Sequence, residues 1–518
     1  MFRWSGMAMV LILCVSTQSS AQPEFDFFQP VTPPRNVQVM VHRGMAKAAP
    51  ENSAAAIEMC IQDYCEFVEI DVRLTKDGRH IVIHNDTVDA TTDGHGRVAD
   101  FTLAELQEFD AGSWFAPRFA DERLLSVPET LKLAKGRINL CLDCNHANAK
   151  LLVDELIADG MQQQVLVYGS REFLSELKAA SRGTIACMMP YQPKSDSIEA
   201  LVRDVGPAAV EIPADDITVE LCQGFHNAGI RVSANVRGET HDNPEVWARV
   251  IDAGVDLLQT NAPEGVLFLN ARRRIGTFPV KVAAHRGANR YAPENTVPAI
   301  HEAARLGVDY AEIDVRTTSD EQYVLVHDGT IDRTTREKGK VRDKSFDEIT
   351  KLSAGIRFGI PFRETNVPSL DEGLAALGDQ MSVYLDAKDI TPAALLAAIH
   401  KYHLEERHVV YQSVEYCDAL RKRDPNVRTL PPLKRLDQID AVAAIKPYGV
   451  DATWYILSED MIATCHQKGI QVFSDLLGSN ETIEQYQKVI SWKIDCIQTD
   501  HPLRVLRAIE LLAEENPP

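Results

Sequence analysis

Short runs of β-branched and other apolar residues alternate along this chain with amphipathic stretches of helical period. In the first half the strand candidates are "VQVMVH", "FVEIDV", "HIVIH", "INLCLD", "QVLVYG", "TIACMM", "AVEIP", "IRVSANV" and "DLLQT". Between most of them lie helical patterns such as "NSAAAIEMCIQDY" and "AKLLVDELIADG". Strand and helix alternating over about 235 residues predict a parallel α/β fold, and the length suits a (β/α)8 barrel. Nine strands are one too many. Lys76-Asp77-Gly78 resolves the excess, because it reads as a tight hairpin turn rather than a crossover.

The whole pattern occurs twice. "VHRGMAKAAPENSAAAI" at residues 41–57 returns as "AHRGANRYAPENTVPAI" at 283–299. An offset of 243 residues carries His42 onto His285, Glu51 onto Glu294, Glu69 onto Glu312, Asp71 onto Asp314, His84 onto His327 and Asp143 onto Asp386. The unit is far longer than a solenoid repeat, so the chain is a tandem duplication of whole domains. We expect two (β/α)8 barrels, at residues 36–270 and 279–514, joined by a linker at 271–278. The second copy has Ser319-Asp320-Glu321 at the hairpin, a weaker turn signal.

Composition narrows the partners. The 518 residues are 45% hydrophobic and 25% charged, ordinary for globular domains, with a formal net charge of −21. No nucleic-acid partner is expected on that charge, and the one short basic run, Arg272-Arg273-Arg274, falls at the domain boundary. "MFRW", the apolar "MAMVLILCV" and the small residues ending at Ala21 read as a signal peptide over residues 1–21, hence a secreted or periplasmic protein. No later segment is apolar enough to span a bilayer. Removal of the signal leaves nine of ten cysteines, an odd and scattered set that is no disulfide framework. Cys141 and Cys144 sit three apart on a strand, so they face opposite ways.

Candidate chemistry gathers at strand C-terminal ends. His42 and His285 end the first strand, and His84 and His327 the third. Glu69 with Asp71, and Glu312 with Asp314, share one face of the second; Asp143 and Asp386 end the fourth. In a barrel these ends form one rim, where active sites are built. Three carboxylates there repel one another unless a cation joins them, and oxygen-only ligands suit Ca²⁺ or Mg²⁺. Two histidines serve as general base and acid, and Arg43 or Arg286 offers a guanidinium fork to phosphate. Asn52 and Asn295 are candidate caps of the following helix. Together these groups describe phosphodiester cleavage.

The ordered set H-R-G, P-E-N-[ST], E-I-D-V, V-x-H-D, T-T and T-D-x-P resembles the glycerophosphodiester phosphodiesterase family, once per copy. The resemblance implies a TIM barrel of the phospholipase-C-like phosphodiesterase type, one divalent cation per functional site, and hydrolysis of small glycerophosphodiesters to an alcohol and glycerol 3-phosphate. It implies His285 and His327 as the acid–base pair, and Glu312, Asp314 and Asp386 as metal ligands, with Asp386 in place of a more usual glutamate. Arg286, Lys388, Glu294 and Trp454 would contact substrate. The segment containing "AGIRFGIPF" matches the family's insertion beside the glycerol pocket. Copy one keeps His42, Arg43, His84, Glu69, Asp71 and Asp143, but has Asn85 for Asp328, Ala90 for Arg333, Asn145 for Lys388 and Asn261 for Asp500. The main catalyst is therefore expected in copy two, with copy one weak, retuned or a non-catalytic binding partner. A related phosphodiesterase acting on phospholipid or another phosphodiester is the alternative.

Overall fold

The computed structural model describes residues 25–515 apart from 239 and 380; the signal segment expected at 1–21 lies outside them. Barrel one is built from β1 (Gln38–His42), β2 (Phe67–Leu74), β3 (His80–Val82), β4 (Asn139–His146), β5 (Val165–Tyr168), β6 (Ala186–Pro190), β7 (Ala209–Pro213), β8 (Arg231–Asn235) and β9 (Leu257–Thr260). Eight of these close in parallel, β1 pairing with both β2 and β9, while β3 pairs antiparallel with β2 alone. The hairpin reading of Lys76-Asp77-Gly78 therefore accounts for the extra strand.

Barrel two repeats the plan with β10 (Lys281–Ala284), β11 (Tyr310–Thr317), β12 (Tyr323–Leu325), β13 (Ser382–Asp386), β14 (His408–Tyr411), β15 (Thr429–Leu430), β16 (Pro432–Leu433), β17 (Gly449–Ala452), β18 (Gln471–Asp475) and β19 (Cys496–Thr499). Its fifth barrel strand is split. β15 pairs with β14 and β16 with β17; Pro431 stands between them and Pro432 opens β16, and neither has an N–H to give a ladder. The weak turn at Ser319-Asp320-Glu321 forms nonetheless: Thr318 Oγ1 donates to Asp320 at 2.6 Å, as Thr75 does to Asp77, and Glu321 takes the left-handed conformation (φ +58°) that Gly78 takes in copy one.

Strands covered on both faces read as nearly continuous apolar runs. One face fills the barrel: Met40, Phe67, Leu166 and Met188 in barrel one, Tyr310, Tyr384, Val409 and Phe473 in barrel two. The lead-in segment closes the floor of barrel one with Phe27, edge-on to Phe67 at 5.5 Å. The other face packs under the helices in one apolar layer continuous through both barrels. Cys141 points into barrel one and Cys144 outward to that layer, as their spacing requires. All nine cysteines among the described residues are free and buried. No helix among the described residues is long and apolar enough to cross a membrane.

The barrels are joined by more than a linker. The helix Pro263–Ile275 continues through the first five residues of the expected linker, so residues 276–280 make the connection. Buried ion pairs cross the junction. Arg35 bridges Glu66 of barrel one and Glu510 of barrel two at 2.6 and 2.8 Å. Asp63, 1% exposed, accepts from Arg290 Nε at 3.0 Å and from the Tyr291 hydroxyl at 3.2 Å. Replacing Asp63 by alanine strands a buried guanidinium, so denaturant unfolding is expected to show a loss of about 3–5 kcal/mol. An unchanged midpoint would mean that Arg290 finds another partner or water.

Candidate active site

The H-R-G turn follows β10 directly. Arg286 and Gly287 are both left-handed, at φ +52° and +74°, and a Cβ on Gly287 would stand 2.8 Å from the backbone of Ala299 in the next helix. Glycine is needed there for both reasons. The turn presents the Arg286 N–H to Glu312 Oε2 at 2.7 Å, and the Arg286 carbonyl accepts from Asn295 N at 2.9 Å.

P-E-N does something the sequence did not reveal. The helix caps are Thr296 and Ser53, not Asn295 and Asn52. Asn295, itself left-handed at φ +56°, clamps Asp314: its amide donates to Asp314 Oδ2 at 2.6 Å and its carbonyl accepts from Asp314 N at 2.9 Å. Asn52 holds Asp71 the same way, at 2.8 and 3.1 Å. Glu294 is neutralised by Arg286 at 3.0 Å and by a double contact from Arg333.

Glu312 and Asp314 face one way from β11, and Asp314 is in register with Asp386 on β13. Oxygens of the three carboxylates lie within 4.8 Å of one another, as do those of Glu69, Asp71 and Asp143. Burial, then the charges of Asp314 and Asp386, push the Glu312 carboxyl well above its ordinary range. Lys388 answers part of that charge, with its ammonium 3.1 Å from Asp314 and closer still to Asp386. Buried, mutually repelling oxygen donors clamped from behind fit a hard divalent cation.

The second histidine of each pair reaches the rim through the hairpin at Lys76-Asp77-Gly78 and at Ser319-Asp320-Glu321. His327 does not end a parallel barrel strand. β11 runs on past the rim, turns, and β12 brings the chain back, with Val326 N donating to Asp314 O at 3.1 Å. Arg316 then fixes the His327 carbonyl at 3.0 and 2.7 Å, as Arg73 fixes that of His84 at 2.7 Å.

Each imidazole of barrel two is held by a carboxylate. His285 Nδ1 lies 2.7 Å from Asp500 Oδ1, and His327 Nδ1 lies 2.7 Å from Asp328 Oδ1. A carboxylate only accepts, so Nδ1 carries the proton in both rings and Nε2 is left to face the reaction. Arg286 Nε donates to that nitrogen of His285 at 3.1 Å, a contact that the substrate hydroxyl must displace before His285 can take its proton. Against the cost of burial, Arg333 and His327 hold Asp328 down at about 2. In barrel one the matching partners are neutral: Asn261 for His42 at 2.9 Å and Asn85 for His84 at 2.8 Å. Burial, then the nearby charge of Arg237, push His42 down to about 3.

A cavity of about 300 Å³ brings His285, His327, Arg286, Lys388 and the carboxylate triad of barrel two together. Trp454 is not on its wall; it stands 41% exposed beside Tyr455. Lys434, Asp451 and Asp475 do line it, and sequence reasoning missed them. The signal was present, since all three sit at C-terminal ends of barrel strands. Tyr384 donates to Asp451, whose carboxyl is pushed up to about 8 by burial first and Asp475 second.

Barrel two, closed but for the split fifth strand, thus gathers at one rim the groups a TIM-barrel hydrolase needs. The chain belongs to the glycerophosphoryl diester phosphodiesterase family, whose model matches residues 42–265 and again 285–504, once per barrel. A glycerophosphodiester phosphodiesterase of Caldanaerobacter subterraneus subsp. tengcongensis is 30% identical over 244 residues, 44% of this chain and 97% of that one. Human glycerophosphodiester phosphodiesterase 1 is 36% identical over 159 residues, 29% of this chain and 48% of its own length. Among solved structures, an Oleispira antarctica phosphodiesterase in complex with the product sn-glycerol-3-phosphate is 26% identical. That similarity covers 45% of this chain and 96% of that one, at a TM-score of 0.38.

Proposed function

We propose that barrel two hydrolyses small glycerophosphodiesters to an alcohol and glycerol 3-phosphate. The observation that carries this reading is the single cavity in which His285, His327, Arg286, Lys388 and the three carboxylates meet. Glu312, Asp314 and Asp386 would hold one divalent cation, Ca²⁺ or Mg²⁺. Such an ion, when bound, supplies electrostatic stabilisation of charge developing on phosphate oxygens. Arg286 and Lys388 face the same phosphate with fixed positive charge.

His285 Nε2 takes the proton from the substrate's glycerol hydroxyl as that oxygen bonds to phosphorus, and Asp500 stabilises the imidazolium. His327, entering as an imidazolium paired with Asp328, gives its Nε2 proton to the departing alcohol oxygen as the P–O bond breaks. The cyclic phosphate then opens by the reverse exchange: His327 takes a proton from water, and His285 returns one to the glycerol oxygen. Export to the periplasm or beyond is supported by the leader-like residues 1–21.

The test is glycerol 3-phosphate release from glycerophosphocholine, with Ca²⁺ and with Mg²⁺. Lys388→Ala is expected to slow turnover by about one to two decades, because a charged hydrogen bond to phosphate is worth about 1.5–3 kcal/mol. Absence of release by the wild-type protein with either cation would remove the substrate assignment.

A further inference from the structure

Barrel one lacks both lysines that line the cavity of barrel two. Asn145 stands two residues beyond Asp143, where Lys388 stands two beyond Asp386. Pro190 is in register with Glu211 as Pro432 is with Asp451, so Gln192 takes the place of Lys434. The charge is not simply lost. On and after β8, Val232, Ala234 and Val236 pack outward under the helices, so Ser233, Asn235 and Arg237 point into the barrel. Asn235 pairs with Gln259 as Asp475 pairs with Gln498, and two residues further on Arg237 therefore matches Leu477. Leu477 lines the barrel-two cavity.

The guanidinium is staged rather than consumed. Arg237 Nε donates to Asn235 Oδ1 at 3.0 Å, and Nη2 stands 3.6 Å from Glu211, with the side chain about one-third exposed (34%). Among the described residues its Nη1 has no protein partner. Its field reaches His42 and Glu69, two members of the rim set. We propose that barrel one retains a phosphate-binding site in which Arg237, from the seventh barrel strand, replaces the cation that Lys388 supplies from the third. The ligand class is a phosphate mono- or diester, held from the opposite side of the carboxylate triad. A guanidinium there offers a two-pronged contact where an ammonium offers a point charge.

The inference rests on the reading of barrel two as a phosphodiester site. Calorimetric titration of the full chain with glycerol 3-phosphate, in Mg²⁺, tests it. The wild-type chain should bind two equivalents, Arg286→Ala/Lys388→Ala one, and addition of Arg237→Ala should weaken that remaining event about tenfold or more. Asn145→Lys in the triple variant should restore it by returning the cation to the third barrel strand. One equivalent in the wild-type chain, indifference of the remaining event to Arg237→Ala, or failure of the rescue would each assign Arg237 to holding Glu211 and overturn the proposal. Glycerophosphocholine hydrolysis by the wild-type protein separates the two readings. Hydrolysis with only one binding event sinks this inference alone. Two binding events without hydrolysis leave it standing and remove the proposed substrate.

Discussion

Replacing His285 by alanine is expected to lower glycerol 3-phosphate release by about 10²- to 10⁴-fold, the range a single general acid–base residue supplies. The same change at His42 should leave most of the activity. The two residues occupy one position of a duplicated fold, and the difference lies in what stands behind them. Asp500 accepts from His285 Nδ1 and is itself fixed by Asn289, so the imidazolium formed on proton transfer meets a placed negative charge. Asn261 accepts from His42 with the same shape and no charge, and Arg237 and Arg43 add repulsion to a ring already buried. Asp500→Asn should accordingly fall between the wild type and His285→Ala. Initial rates at saturating glycerophosphocholine decide the matter. If the His285 variant keeps a third of the wild-type rate, barrel one is a working catalyst and the neutral partners of its histidines do not silence it.

What the chain discloses without a structure follows from what each pattern measures. Period-two alternation tells which residues of a strand share a face, and that placed Glu312 with Asp314 and separated Cys141 from Cys144. The 243-residue offset then tied the site residues from His285 to Lys388 to partners in the first copy, while Asp500 and Asn261, past intervening gaps, stand 239 apart. Neither pattern says which strand lies opposite which once the sheet closes. Arg237 and Leu477 are a charge and an apolar side chain after a β-run until closure carries both to the rim. His327 is at the end of a strand in sequence, but its height at the rim is set by a hairpin whose returning arm is antiparallel. Asn295 has the residue type and position of a helix cap; only the neighbouring strand shows that its amide is committed to Asp314. Trp454 opens a short 3-10 helix one residue beyond Thr453 of the cavity wall and stands 41% exposed, a placement that its residue type does not disclose.

Glu312→Gln should have opposite effects on stability with and without metal. In the metal-free protein the Glu312 carboxyl is raised by burial and by Asp314 and Asp386. A group whose folded-state pKa lies above its unfolded value contributes stability that is present below the unfolded value, about 4.5, and is lost as pH rises toward the folded one. At neutral pH the charge is therefore a cost, which Lys388 offsets only in part, and the neutral glutamine removes it. Thermal unfolding of the metal-free variant should occur above that of the metal-free wild type at pH 7, and the gap should close as pH falls toward 4. A divalent ion reverses the order. A ligand at a hundred times its dissociation constant adds about 2.7 kcal/mol to the state that binds it, and the variant, with one carboxylate fewer, gains less. The same substitution at Glu69 probes the other triad, which has the same buried pair and clamp but Asn145 in place of Lys388. Arg43 Nε, 3.3 Å from Asp71, and the charge of Arg237 take over that offset, so a metal-free gain of the same sign and similar size is expected in barrel one. A Glu312→Gln protein that melts lower than wild type in chelator would mean that the triad is held together by something other than relief of its own repulsion.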